Sequence, residues 1–120
     1  MNFGLGSLAG LARIRDYRSR RLSSWDRSGG NVDCIMVKPG ERLVFGEIEG
    51  AGIVRHLWMT MMSLPDESQE LRQTVLRIYW DGEATPSVEA PLGDFFGAGF
   101  GLRREIRSVP VQVEGGDGYN

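Results

Sequence analysis

The chain has 120 residues, enough for one domain of ordinary size, with 41% hydrophobic and 25% charged residues, as in soluble globular proteins. A net charge of −2 gives no electrostatic case for nucleic-acid binding, which draws on a basic face. No apolar run approaches the ~18 residues of a membrane-spanning helix, and one cysteine with one histidine argues against a structural zinc site or an internal disulfide.

The first residues, Met1 to Ala12, are mildly apolar, but arginines follow them rather than precede them, the wrong order for a signal peptide. The expected setting is therefore intracellular, in the cytoplasm, unless the true start of the chain is missing. Ser7 can cap a short helical turn carrying Leu8, Leu11 and Ile14. The cluster Arg13, Arg15, Arg18, Arg20 and Arg21 reads either as an anion-binding segment or as a solvated, ion-paired one. Residues 23–31 are rich in turn formers and hold one tryptophan.

From Val32 the pattern becomes β. Strands are expected at Asp33 to Lys38, ended by the turn Lys38-Pro39-Gly40-Glu41, and at Arg42 to Ile48. Cys34 falls in the first and reads as a small buried hydrophobe; as a nucleophile it would need His56 as partner. A long third strand, Ile53 to about Met62, is apolar on both faces, as for a central strand. An acidic loop at Leu64 to Glu70, with room for a short helical turn, leads to a fourth strand, Leu71 to Trp80. There Leu76, Ile78 and Trp80 alternate with Val75, Arg77 and Tyr79. The third and fourth strands are expected as neighbours at the centre. Asp81-Gly82 makes a tight turn, Ser87 to Ala90 a short strand, and Ser108 to Glu114 a last one.

Short strands joined by Gly/Pro turns predict an all-β fold: an antiparallel, jelly-roll-like β-sandwich with a short helical or irregular amino-terminal arm. The arm and polar loop span 1–31 and the sandwich 32–120. Six strands with open edges make an incomplete sandwich, so the chain reads as the front part of a longer protein.

The stretch Pro91 to Gly101 holds four glycines and three phenylalanines around Asp94. It reads as an aromatic loop folded over a sheet end and presenting Asp94, or as a buried loop in which Asp94 caps the turn through Phe95 to Gly97. Trp25, Asp26, Asn31 and Asp33 combine an aromatic plate with hydrogen-bonding groups, the pairing that sugars need. The same residues also suit a plain turn, with Asp26 as its cap and Trp25 as a lid on the core. His56 and Trp58 share a face of the third strand, where a packed histidine is the commoner outcome. Asp81, Glu89 and Asp94 lie near strand ends, but loop spacing does not establish the separation that a glycosidase pair requires. No P-loop, dinucleotide fingerprint, HExxH or GxSxG pattern is present.

Taken in order, Ser23-Ser24-Trp25-Asp26 with Gly30-Asn31-Val32-Asp33, then residues 50–60, then Tyr79-Trp80-Asp81-Gly82, then Pro86 to Gly97 resemble the start of the family once called domain of unknown function 2961, now glycoside hydrolase family 172. The resemblance covers nearly all of the chain from Ser23, and its most specific blocks are Trp80-Asp81-Gly82 and Pro91 to Gly97. It implies two jelly-roll sandwiches and action on α-linked furanosides (fructofuranose, arabinofuranose, galactofuranose) by a retaining mechanism with two glutamates. Those glutamates lie downstream of the matched region in the family, so no catalytic residue is assigned and this chain's own catalytic competence is left open. Substrate-binding roles fall on Trp25, Asp26, Asn31, Asp33, Trp58, Asp94 and Phe96. The implied partners are a carbohydrate substrate and, in the full-length protein, further copies of itself, with no cofactor, metal, nucleic acid or membrane. The competing class is a non-catalytic β-sandwich that binds carbohydrate or serves a structural role.

Overall fold

A computed structural model describes residues 12, 14–61, 67–102, 104–113 and 118–119. The chain divides into two units, Met1–Ile53 and Val54–Asn120. The helical turn expected from Ser7 falls largely outside the described residues, and Ile14 at its end is fully exposed.

In the first unit the expected turns form and the expected strands do not. The Glu41 N–H donates to the Lys38 carbonyl at 3.0 Å, the Lys38 N–H donates to Glu41 Oε2 at 3.0 Å, and Gly40 has φ 81°. Pro39 and Gly40 thus take the places that a type II turn reserves for them. The arms on either side, 33–38 and 42–48, carry no ladder. Ile35, Met36, Val37, Val44, Phe45 and Ile48 are exposed, and so is Cys34, against the expectation of burial. A two-stranded hairpin is marginal unless a face is covered, and no residue of these arms is buried.

The second unit holds the regular structure: β1 Met59–Thr60, α1 Glu67–Gln73, β2 Val75–Ile78, β3 Val88–Pro91, α2 Leu92–Phe95, a 3-10 turn Gly99–Gly101, β4 Ile106–Arg107, β5 Gln112–Val113 and β6 Gly118–Tyr119. Every ladder among the described residues is antiparallel, as the all-β reading expects. One sheet runs β1-β6-β5-β4 and the other is the hairpin β2-β3.

The expected central pair is not found. Of residues 53–61 only Met59 and Thr60 are in a strand, at the edge of its sheet beside β6, while β2 pairs with β3. Leu71 opens no strand because 67–73 is a helix: Glu-Ser-Gln-Glu-Leu-Arg-Gln is built mostly of good helix formers, and the Thr74 N–H continues the ladder to the Glu70 carbonyl at 2.8 Å. Leu71 is buried from that helix. Alternation begins at Val75, with Leu76 buried between exposed Val75 and Arg77.

In the β2–β3 hairpin Arg77 stands opposite Glu89 and pairs with it at 2.6 Å. That carboxylate holds the Arg77 guanidinium above its ordinary pKa. The connection turns at Asp81 and Gly82, both at positive φ (48° and 76°), with the Glu83 N–H on the Trp80 carbonyl at 2.9 Å, as in a type I′ turn. Trp80 sits at that turn, about half exposed, rather than in the core.

The core joins Leu71, Leu76, Leu92, Phe96, Ala98, Val113 and Tyr119. Phe96 is its centrepiece, edge-on to Phe95 at 5.1 Å and tilted against the fully buried Tyr119 at 6.0 Å.

Candidate functional site

The candidate residues fall in both units. In the second, α2 is a single turn closed by its own main chain. The Gly97 N–H donates to the Asp94 carbonyl at 3.0 Å and the Ala98 N–H to the Gly93 carbonyl at 2.7 Å. This is the Schellman pattern, and Gly97 supplies the required left-handed residue at φ 84°. Helix α1 lies against the segment so closely that a Cβ on Gly101, itself at φ 68°, would stand 2.3 Å from the Ser68 carbonyl oxygen. The Gly/Phe stretch is thus a fixed shelf rather than a loose loop.

Asp94 projects from that shelf. One carboxylate oxygen, Oδ2, is paired with the Arg72 guanidinium on α1. The other, Oδ1, is buried and has no hydrogen-bond partner. A buried acceptor without a donor is uncommon and costs about 1–3 kcal/mol. The expectation that Asp94 caps the turn is not met, since the bonds that close the turn are main-chain. Phe96, next but one, is buried in the core; the ring that the stretch exposes is Phe100, at φ 60°. Trp58 precedes β1 and is exposed.

In the first unit, Asp26 organises the polar loop. Its Oδ1 accepts from the Ser28 N–H at 2.8 Å and the Ser28 hydroxyl at 2.7 Å, and its Oδ2 from the Val32 N–H at 3.2 Å. These donors, the Ser28 hydroxyl first, hold the Asp26 carboxyl below its ordinary pKa. Asp33 Oδ1 accepts the Asp26 N–H at 2.6 Å, and the Ser24 hydroxyl donates to the Asp33 carbonyl at 2.7 Å. Asn31 takes a left-handed conformation, φ 59°, which its residue type tolerates. Both aspartates are therefore committed to the loop's own backbone. Trp25 is more than half exposed rather than a lid. With Arg21, Leu22, Ser23, Arg27 and Phe45 it lines an open groove of about 460 Å³.

Sequence reasoning missed Arg72, because it was read as a strand residue; the helix-forming composition of 67–73 was the available signal. It also missed Arg27, two residues from Trp25, and Phe45, which reaches the groove from a segment twenty residues away. Among the described residues no group of three or more His, Cys, Asp or Glu could hold a metal ion, and no helix is long and apolar enough to cross a membrane.

A family model described as GH172 domain-like matches residues 31–120. The chain belongs to the GH172 family. The match spans Asn31, Asp33, Trp58, Asp94 and Phe96, and begins after Trp25 and Asp26. No curated protein and no solved structure matches the chain. GH172 membership carries a glycoside hydrolase assignment at the level of the family.

Proposed function

We propose that this GH172 chain contributes substrate-binding groups to the retaining hydrolysis of an α-linked furanoside. The observation that carries the reading is Asp94: its carboxylate is anchored through Oδ2 by Arg72, about a third of its side chain is exposed, and its buried Oδ1 has no donor. A furanose hydroxyl is a donor of the kind Oδ1 lacks; because that oxygen is buried, reaching it requires neighbouring side chains to shift, whereas the exposed part of the carboxylate accepts directly, and either bond would be charge-assisted. In the second unit Trp58 supplies an exposed ring for the apolar face of a sugar; in the first unit, taken by itself, Trp25 supplies another. Asn31, with Asp26 and Asp33, serves by holding the Trp25 loop in shape, and Phe96 by fixing the shelf from beneath. No residue of this chain is assigned as nucleophile or acid. The proposal includes self-association, because apolar side chains of the first unit's arms lie exposed.

Two Asp94 variants test the reading, with methyl α-arabinofuranoside, methyl α-fructofuranoside and methyl α-galactofuranoside as ligands. Asp94→Asn keeps shape and some hydrogen bonding, and should weaken binding of the preferred furanoside by about tenfold, in line with the ~1.5–3 kcal/mol of a charged hydrogen bond. Asp94→Ala should weaken it further. Melting temperature should change little in both, because the Arg72 pair is partly exposed. Affinity falling only in step with stability retires the site. Furanoside binding unaffected by either variant moves it away from Asp94.

A further inference from the structure

The groove in the first unit has a character that a neutral sugar does not explain. Two of its six lining residues are arginines, Arg21 and Arg27, which line it together with Trp25 and Phe45. The carboxylates nearest in sequence do not neutralise them: Asp26 is turned to Ser28 and Val32, and Asp33 to the Asp26 N–H. Arg21 reaches only as far as the Ser23 hydroxyl, at 3.5 Å. Between Ile14 and Asp33 five arginines face three aspartates, in a chain whose net charge is −2. The basic character is therefore local and coincides with an aromatic concavity large enough for a small saccharide.

We propose that this groove binds an anionic sugar, with the apolar ring face on Trp25 and a carboxylate or phosphate oxyanion on Arg21 and Arg27. The guanidinium fork matches both oxyanions, is always charged, and is weakly hydrated, so it gives up water at modest cost. The inference rests on Trp25 as a sugar platform and adds the charge of the sugar.

The test uses the full chain, isotope-labelled, with the Trp25 indole N–H resonance assigned by its loss in Trp25→Phe. The probes are methyl galactofuranoside, its C6 carboxylate (the uronate) and its 6-phosphate, which share one ring and differ only at C6. At low salt an anionic probe should bind about tenfold or more tighter than the neutral one, and the preference should shrink as salt rises. The larger preference tells carboxylate from phosphate. In the double variant Arg21→Gln/Arg27→Gln the preference should vanish, the anionic probes falling to the affinity that the neutral probe shows on the same variant. Equal affinity for all three probes overturns the inference and leaves the platform reading standing. So does a preference that survives in the double variant. No shift of the Trp25 resonance with any probe overturns both.

Discussion

Arg72 on α1 grips Asp94 on α2 across twenty-two residues of sequence, and holds only one of its two carboxylate oxygens. The pair fixes the carboxylate and leaves its buried Oδ1 without a donor. Removing the guanidinium should therefore disturb binding more than folding. Arg72→Gln should lower stability by no more than about 1 kcal/mol, the usual worth of a partly exposed ion pair. It should weaken furanoside affinity at least as far as Asp94→Asn does, and Arg72→Lys should restore part of it. Parallel calorimetric titrations and melting curves on the three proteins decide the matter. A large stability loss with unaltered affinity would make the pair a structural brace only.

The shelf that carries Asp94 depends on glycine at Gly101 as it does at Gly97, and tolerates a side chain at Gly99. Gly101→Ala drives a Cβ to 2.3 Å from the Ser68 carbonyl oxygen at φ 68°. Combining left-handed strain with overpacking should cost about 2 kcal/mol or more. Gly99 has no atom within 4 Å of an added Cβ, so Gly99→Ala should stay within about 0.5 kcal/mol. Urea unfolding of both variants reads the contrast directly. Equal losses would mean that α1 does not pack on this backbone.

What was legible in the sequence was local. The Lys38–Glu41 and Asp81–Gly82 turns, the Val75 alternation and the Asp26 cap all depend on residues within a few positions of each other, and all form. What was not legible depended on cover. The apolar arms 33–38 and 42–48 have strand composition, but a strand needs an edge to pair with and a face to bury, and neither is encoded within the arm. Leu71 illustrates the converse: an apolar residue next to an alternating run was read as its first member, although the seven residues around it favour a helix. The candidate site divides in the same way. Asp94 and Trp25 stood out by type and setting, whereas Arg72 and Phe45 owe their place to packing between segments.

Acid should loosen the Trp25 loop through Asp26. Hydrogen bonds from Ser28 and Val32 hold its folded pKa below the ordinary 3.8. A depressed carboxylate stabilises the loop fully above its unfolded value, and that contribution fades as pH falls through the folded one. The loop should keep its shape at neutral pH and begin to lose it only below pH 3.8. Following the Ser28 amide resonance during acid titration measures this. Ser28→Ala removes the largest cause and should move the midpoint upward; an unmoved midpoint would assign the shift elsewhere.

The final prediction concerns the exposed arms. Ile35, Val37 and Val44 lie in segments without a ladder, and all are exposed. Uncovered apolar side chains lose the roughly 25 cal/mol per Å² that burial would return, and unpaired extended backbone is a template for another chain. The two effects favour the same event, so the chain should self-associate as concentration rises and should bind an apolar dye such as ANS. Charge placed on the arms opposes both, since a buried lysine must be desolvated and edge lysines repel a second copy. Ile35→Lys/Val44→Lys should therefore shift sedimentation toward monomer and reduce dye binding. It should leave the second unit's near-ultraviolet circular dichroism unchanged, because that signal draws on the packed Phe95, Phe96 and Tyr119 rings. A wild-type chain that stays monomeric at high concentration and ignores the dye would show that these arms are covered in solution. Self-association untouched by the double variant would place the contact on another face.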